Sequence, residues 1–217
     1  MDSCLPRALR DNKYFMTPFY KIWFRGFDAK KIMEIKSNIL TMTKEEIAEL
    51  YNEIGQRHQV RESDLNQKSL RAILENLDPS SKSLLEVGCG SGHFLKQIDR
   101  LRYQLTGCDI LNDFSIEGAR YVKADAEALP FLDHEFDIVV CNHVLEHVVN
   151  IGRAIEELKR VVKKQLIVTV PCQRYFRYTM DLHVHFFSKP EQLKEAIGIP
   201  RHSCVTLDGD FVYIGYP

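Results

Sequence analysis

Glu86, Gly88, Gly90 and Gly92 occupy alternate positions in Leu84-Leu85-Glu86-Val87-Gly88-Cys89-Gly90-Ser91-Gly92-His93-Phe94. Glycine tolerates positive φ and carries no Cβ, so a ligand can lie directly against the backbone at such a corner. The apolar run before it reads as a buried strand. The pattern from about Phe94 reads as a helix whose first N–H groups face the same corner. A carboxylate two residues ahead of the first glycine suits a ligand with a positive amino group. Two nucleotide chemistries use a strand–glycine–helix corner, and spacing separates them. The dinucleotide pattern Gly-x-Gly-x-x-Gly would need a glycine at 93, where His93 stands. The phosphate-cradling loop with Gly-Lys-Ser/Thr is absent. About twenty residues on, Gly107-Cys108-Asp109 ends a second apolar run, where a ribose would present two hydroxyls to an acid. One carboxylate can accept both hydrogen bonds.

Further candidates follow the later strands. Asp181, His183 and His185 share one side if that segment is extended, which fits a metal site or a general base with an orienting carboxylate. Arg174 and Arg177, set among Tyr175, Phe176 and Tyr178, could bind an acidic substrate group. Lys159, Arg160, Lys163 and Lys164 sit at a helix C-terminus, where the dipole stabilises cations, and read as solvated rather than as a nucleic-acid surface.

In their order and spacing these motifs resemble the class I S-adenosylmethionine-dependent methyltransferases, in particular the large group of small, single-domain, type 11-like enzymes. The resemblance covers roughly residues 50–217. It implies S-adenosyl-L-methionine as cofactor, held by Glu86, Gly88, Cys89, Gly90, Gly92, Asp109, Ile110, Asp125, Ala126, Glu127, Asn142 and His143. In that family the acid matching Asp125 accepts from the adenine amine, with backbone help from the position of Ala126. Asn142 lies where the methionine part meets the incoming nucleophile. Methyl transfer to a hydroxyl would use a base, for which His143, His183 and His185 are the candidates; an amine or carbon acceptor needs none. The Asn/Asp-Pro-Pro-Tyr/Phe signature of amide and nucleobase methylation is missing. Glu146 and His147 read as helix-start and packing residues, and no metal is expected. The expected acceptor is a small molecule, a sugar or other metabolite. The alternatives are tRNA or protein as acceptor, or a non-catalytic cofactor-binding partner subunit. A nicotinamide oxidoreductase is opposed by His93.

The elements that must position these residues run in a regular order. Strands are expected at the glycine corner, at Tyr103–Ile110, Arg120–Ala124, Phe136–Cys141 and Gln165–Val170, with helices between them. The segment from Leu111 to Gly118 leaves room for barely two helical turns. Ser203–Leu207 and Asp210–Tyr216, joined by Asp208-Gly209, read as a hairpin. The expected fold is α/β: a Rossmann-like, doubly wound, seven-stranded sheet, mostly parallel with one antiparallel C-terminal strand and helices on both faces. Residues 1–60 are expected to form an aromatic-rich helical extension, a possible lid, and residues 61–217 the cofactor-binding domain. Thr43 and Glu46 fit a capping box for a helix ending near Gly55, with Tyr51, Arg57 and His58 as weak contact candidates.

Composition excludes several classes. The 217 residues carry 29 Lys+Arg against 30 Asp+Glu, a formal net charge of -1, which argues against a dedicated nucleic-acid surface. No apolar run approaches ~18 residues, and Met1–Arg10 lacks an apolar signal core. Six scattered cysteines without Cys-x-x-Cys fit reduced, cytoplasmic thiols better than disulfides or a zinc site. A monomer or homodimer is expected.

Overall fold

The computed structural model describes residues 6–58, 63–111 and 115–217. Seven strands form one sheet: β1 (Ser83–Val87), β2 (Gln104–Asp109), β3 (Ala119–Lys123), β4 (Phe136–Asn142), β5 (Val162–Pro171), β6 (His202–Leu207) and β7 (Asp210–Gly215). Their order is β3-β2-β1-β4-β5-β7-β6. The first five are mutually parallel, and β7 runs antiparallel to both β5 and β6. The sheet is therefore mostly parallel with one reversed strand, as expected. Asp208 (φ 46) and Gly209 (φ 94) form the two-residue turn before β7; positive φ at both positions matches the twist of a hairpin.

A parallel sheet must be covered on both faces, and β4 is buried from Phe136 to Cys141 without alternation. On one face, α7 (Ile151–Val161) lays Ala154, Ile155, Leu158 and Val161 at helical spacing against Val139, Cys141, Leu166 and Val168. Helix α8 (Pro190–Ile197) adds Leu193 and Ile197 to that layer. The other face packs Leu84, Ile138, Val140 and Ile167 beneath Leu70 and Ile73 of α6 (Gln67–Asn76).

The winding is sparser than the sequence pattern implies. The helix expected from Phe94 is a turn followed by a short 3₁₀ segment, Leu95–Gln97. Phe94, Leu95 and Ile98 are buried, but Leu101, expected on the same face, is 99% exposed. Ile98 turns to extended backbone, and the Asp99 carboxylate accepts from Leu101 N, closing a turn that feeds β2 directly. Between β3 and β4 a tight turn bridging Asp125 and Ala128 replaces a helix among the described residues. Residues 112–114 of the short helix expected at 111–118 lie outside the described residues, and 115–118 are not helical.

Ahead of the sheet come α1 (Arg7–Arg10), α2 (Lys13–Trp23), α3 (Ala29–Met33), α4 (Ile35–Asn38) and α5 (Lys44–His58). Pro18, expected to break the aromatic segment, lies within α2; Met16, Tyr20 and Phe24 recur every four residues and bury one face across it. Thr43 and Glu46 form the reciprocal capping box at 3.2 and 2.8 Å, and α5 continues past Gly55 to His58. These helices make a third core with Tyr178 and Leu182, which belong to the segment after β5. The expected domain boundary at 60/61 lies outside the described residues. Among the described residues no helix is long and apolar enough to cross a membrane.

Leu158 is fully buried between α7 and the sheet, so Leu158→Ala should cost about 2–5 kcal/mol in chemical denaturation. Leu101→Ala, on an exposed side chain, should stay within about 0.5 kcal/mol of the parent.

Candidate active site

Strand order reverses between β1 and β4, and ligands of open α/β sheets bind at the carboxyl ends of strands at such a point. Gly88 (φ 73) and Gly90 (φ 47) turn the chain there. Their uses differ. A Cβ on Gly88 would stand 2.1 Å from Val144 Cγ2, so this glycine lets the loop after β4 close against the loop after β1. A Cβ on Gly90 would meet nothing within 4 Å, leaving an open cradle. Gly92 lies against Ile116, and Cys89 is buried in the core with Leu84 and Phe94.

Asp109 closes the corner from β2. Its carboxylate accepts from Gly90 N at 2.8 Å and Leu111 N at 3.0 Å. Burial raises its pKa in spite of these bonds. Glu86 is buried on β1, and burial, aided by the charge of Asp109, pushes its pKa well above the usual carboxylate range. Asn142 Nδ2 reaches Glu86 Oε1 at 3.5 Å, while Glu86 Oε2 and Asn142 Oδ1 have no hydrogen-bond partner.

A cavity of about 920 Å³ opens from this corner. One side is lined by Gly88, Asp109, Ile110, Asp125, Ala126 and Glu127, the other by His143, His147, Met180, His183 and Asp210. Trp23, Ile47 and Tyr51 of the N-terminal helices also face it. Lys44, at the first turn of α5, bridges Asp125 at 2.9 Å and Glu127 at 2.7 Å. Glu127 is further committed: its other oxygen accepts from Val149 N and Asn150 N at 2.8 and 2.9 Å, which fixes the loop before α7.

The histidine side is strongly polarised. His143, held at φ 52, places Nδ1 3.1 Å from Glu146 and Nε2 3.5 Å from Asp210. Burial would pull its pKa down, but the two carboxylates outweigh burial and raise it to about 10. The two carboxylates therefore favour the protonated imidazole, although Nε2, 3.5 Å from Asp210, makes no hydrogen bond. Burial instead lowers the pKa of His147 to about 4, and its Nδ1 sits 3.4 Å from the Tyr51 hydroxyl. His183 Nδ1 donates to Gln173 Oε1 at 2.7 Å, and Gln173 Nε2 donates to Asp181 at 3.0 Å. His185 turns away: its Nε2 meets the Val148 carbonyl at 2.9 Å, and it does not line the cavity. Leu182 adopts φ 59, so the segment is not extended: Asp181 and His183 both line the cavity, with Asp181 Oδ2 3.5 Å from His183 Nδ1, and His185 alone leaves that side.

The structure thus brings Gly88, Asp109, Ile110, Asp125, Ala126, Glu127, His143 and His183 to one cavity; Glu86 and Asn142 meet each other on adjacent strands and do not line it. Arg174 and Arg177 lie over the rings of Phe176 and Tyr178 and do not line it. The side chains of Arg57 and His58 are outside the described set. Sequence reasoning missed Lys44, Asp210 and the grouping of Glu146 with His147. For Asp210 a signal existed: a reversed last strand must begin at the carboxyl ends of its parallel neighbours, as the pairing of Asp210 with Pro171 shows.

Residues 85–168 match the family model of a methyltransferase domain. They form a class I S-adenosylmethionine-dependent methyltransferase domain. S-adenosyl-L-methionine is the cofactor that goes with a methyltransferase domain of this class. The chain is similar to the uncharacterized protein MJ1123 of Methanocaldococcus jannaschii, 35% identical over 107 residues, or 48% of this chain and 50% of that protein. It is 30% identical over 130 residues to the malonyl-[acyl-carrier protein] O-methyltransferase of Legionella pneumophila, covering 54% of this chain and 41% of that one. The chain spans between about a third and a half of the length of the curated relatives it matches. In fold it is similar to a chain from the complex of the Haloferax volcanii Trm112 methyltransferase activator with a methyltransferase. That likeness has a TM-score of 0.62 at 13% identity and covers 78% of this chain and 96% of that one.

The methyltransferase domain's two glycines can be told apart by substitution. Gly88→Ala should lose about 2 kcal/mol or more, combining left-handed strain with displacement of Val144. Gly90→Ala should lose only about 1 kcal/mol of stability, from strain alone. Urea melts of both variants measure the difference.

Proposed function

We propose that the chain is an S-adenosylmethionine-dependent methyltransferase acting on a small-molecule acceptor through a hydroxyl or amine. The observation that carries this reading is one cavity joining the Gly88–Asp109–Asp125 side to the His143–His147–His183 side. The residues present fit the cofactor. Gly90 offers a cradle that a Cβ would fill, and the bare oxygens of Glu86 and Asn142 face no partner within the protein. An amino acid ammonium would complete them. Each Asp109 oxygen takes one backbone N–H and retains a lone pair for a ribose hydroxyl. Asp125 and Ala126 would border the adenine, with Lys44 closing that edge.

When bound, the cofactor supplies an electrophilic methyl on a sulfonium, so the protein's task is placement. Val144 and the His143 loop bring the acceptor side to within one loop of Gly88. His143, between Glu146 and Asp210, favours its protonated form, and we assign it to positioning rather than to proton transfer. His183 donates through Nδ1 to Gln173, which leaves the Nε2 lone pair to receive a hydrogen bond from the acceptor. The aromatic and apolar N-terminal residues Trp23, Ile47 and Tyr51 wall the acceptor side, which suits a metabolite better than a polymer. We place the enzyme in the cytoplasm on its free thiols, as a monomer or homodimer without nucleic-acid contacts.

Calorimetric titration of S-adenosylmethionine and its demethylated product, beside NAD, tests the reading. The first pair should bind, NAD should not, and Asp109→Ala should weaken binding about tenfold to a hundredfold, the worth of hydrogen bonds to a charged group. Absence of binding for the first pair would sink the proposal.

The pH dependence has a definite sign. Glu86 and Asp109 have folded pKa values above their ordinary ones, so at mildly acidic pH the folded protein holds protons that the unfolded chain has released. Stability of the free protein should therefore fall as pH rises through this range. Affinity for the cationic amino acid end should rise, because only ionised Glu86 can hold it. Thermal shifts on adding S-adenosylmethionine, between about pH 5 and 7 where the ligand's amino group stays protonated, should grow with pH. Glu86→Gln should flatten that trend.

A further inference from the structure

Glu146, His147 and His183 each present one ligand atom, and these atoms all lie within 4.8 Å of one another. Two imidazole nitrogens and one carboxylate oxygen form a donor set for first-row divalent cations, with coordination positions left open. Three observations separate this cluster from ordinary packing. Glu146 is 0% exposed; His143 holds Oε1 at 3.1 Å, whereas Oε2 has no hydrogen-bond partner. A buried carboxylate oxygen left bare is costly, and a cation removes that cost. Each imidazole, moreover, is oriented through its Nδ1: His183 by Gln173 at 2.7 Å, His147 by the Tyr51 hydroxyl at 3.4 Å. Metal-bound imidazoles are typically steadied in this way, by a partner on the nitrogen that does not ligate. Finally, the two segments that carry the donors are tied by backbone, with Val184 N and His185 N donating to the Glu146 carbonyl at 2.8 and 3.1 Å.

We propose that Glu146, His147 and His183 bind one divalent cation of the zinc, manganese or cobalt kind, with its open positions facing the cavity. Ligand atoms about 2.0–2.2 Å from a cation sit roughly 3–3.5 Å apart, so a pair at the 4.8 Å limit must close by about an ångström or more. The torsions of one glutamate and two loop-borne histidines supply that movement. The open positions face the acceptor side, so the acceptor's oxygens fill them. Adjacent oxygens, as in a vicinal diol, a catechol or a hydroxy acid, chelate best. The cation takes the His183 lone pair, and the acceptor oxygen then rests on the cation instead of on the imidazole. Only this acceptor assignment rests on the methyl-transfer reading; the cation site stands on its own geometry.

The experiment uses protein dialysed against a chelator and then freed of it. Zn²⁺ and Mn²⁺ are titrated by calorimetry, and Co²⁺ by visible absorption. One cation per chain is expected, weakened at least tenfold in His183→Ala and abolished in Glu146→Gln. S-adenosylmethionine is titrated into the same metal-free protein. Cofactor binding without cation binding overturns the metal site alone, and cation binding without cofactor binding overturns the methyltransferase reading alone. Circular dichroism checks each variant; should Glu146→Gln fail to fold, His183→Ala decides. Binding well below one equivalent, or an affinity unchanged in His183→Ala, overturns the proposal.

Discussion

Where a parallel strand ends, the loop that follows carries N–H groups that no neighbouring strand takes up, and here carboxylates take them. Asp109 holds Gly90 N and Leu111 N, Asp125 holds Glu127 N, Glu127 holds Val149 N and Asn150 N, and Glu157 holds Leu129 N. At the opposite end of the strands, Asp137 near the start of β4 accepts from Lys82 N just before β1. The loops around the cavity are thus fixed by charge-assisted bonds of roughly twice the strength of neutral ones. They need little helix to support them, which is why the sheet tolerates such sparse winding between β1 and β4. Against these engaged carboxylates, the buried oxygens left bare on Glu86 and Glu146 stand out.

The N-terminal helices read the state of the site through several contacts. Lys44 spans Asp125 and Glu127, Tyr51 meets His147, and Tyr178 and Leu182 complete the helices' own core. Lys36 lies over the adjoining rings of Tyr175 and Phe186 and donates to the Phe176 carbonyl, and burial lowers its pKa to about 8. The segment after β5, which carries His183, is therefore held between the sheet and the extension. Any movement of the extension would be felt there before it reached the glycine corner.

Much of this was legible in the sequence because local patterns and the tertiary fold agree. The strand at Phe136–Cys141, helix α7 and the Asp208-Gly209 hairpin each follow from periodicity or turn chemistry alone. The glycine corner and Asp109 follow from spacing. The failures share a cause. The segment from Phe94 has helical periodicity, yet Asp99 closes a turn before a second helical turn can form. Periodicity placed Leu101 on a buried face that does not exist. The roles of His183 and His185 depended on one backbone torsion, at Leu182, that residue types do not encode. Glu146 and His147 are sequence neighbours whose partner His183 lies 36 positions on, brought in by the loop that Glu146 itself ties down.

The hairpin carries one more consequence. Asp210, at the start of β7, faces His143 and is bonded to Asn66, which lies 144 positions earlier in the chain. Contacts this remote in sequence are closed late, after most of the loop-closure entropy has been spent. A folding intermediate with β1 to β5 in place would have the glycine corner but only half of the clamp on His143. The completed clamp therefore depends on the whole chain's cooperative folding. Ligands that use it should report on global rather than local opening, and so protect against proteolysis throughout the sheet.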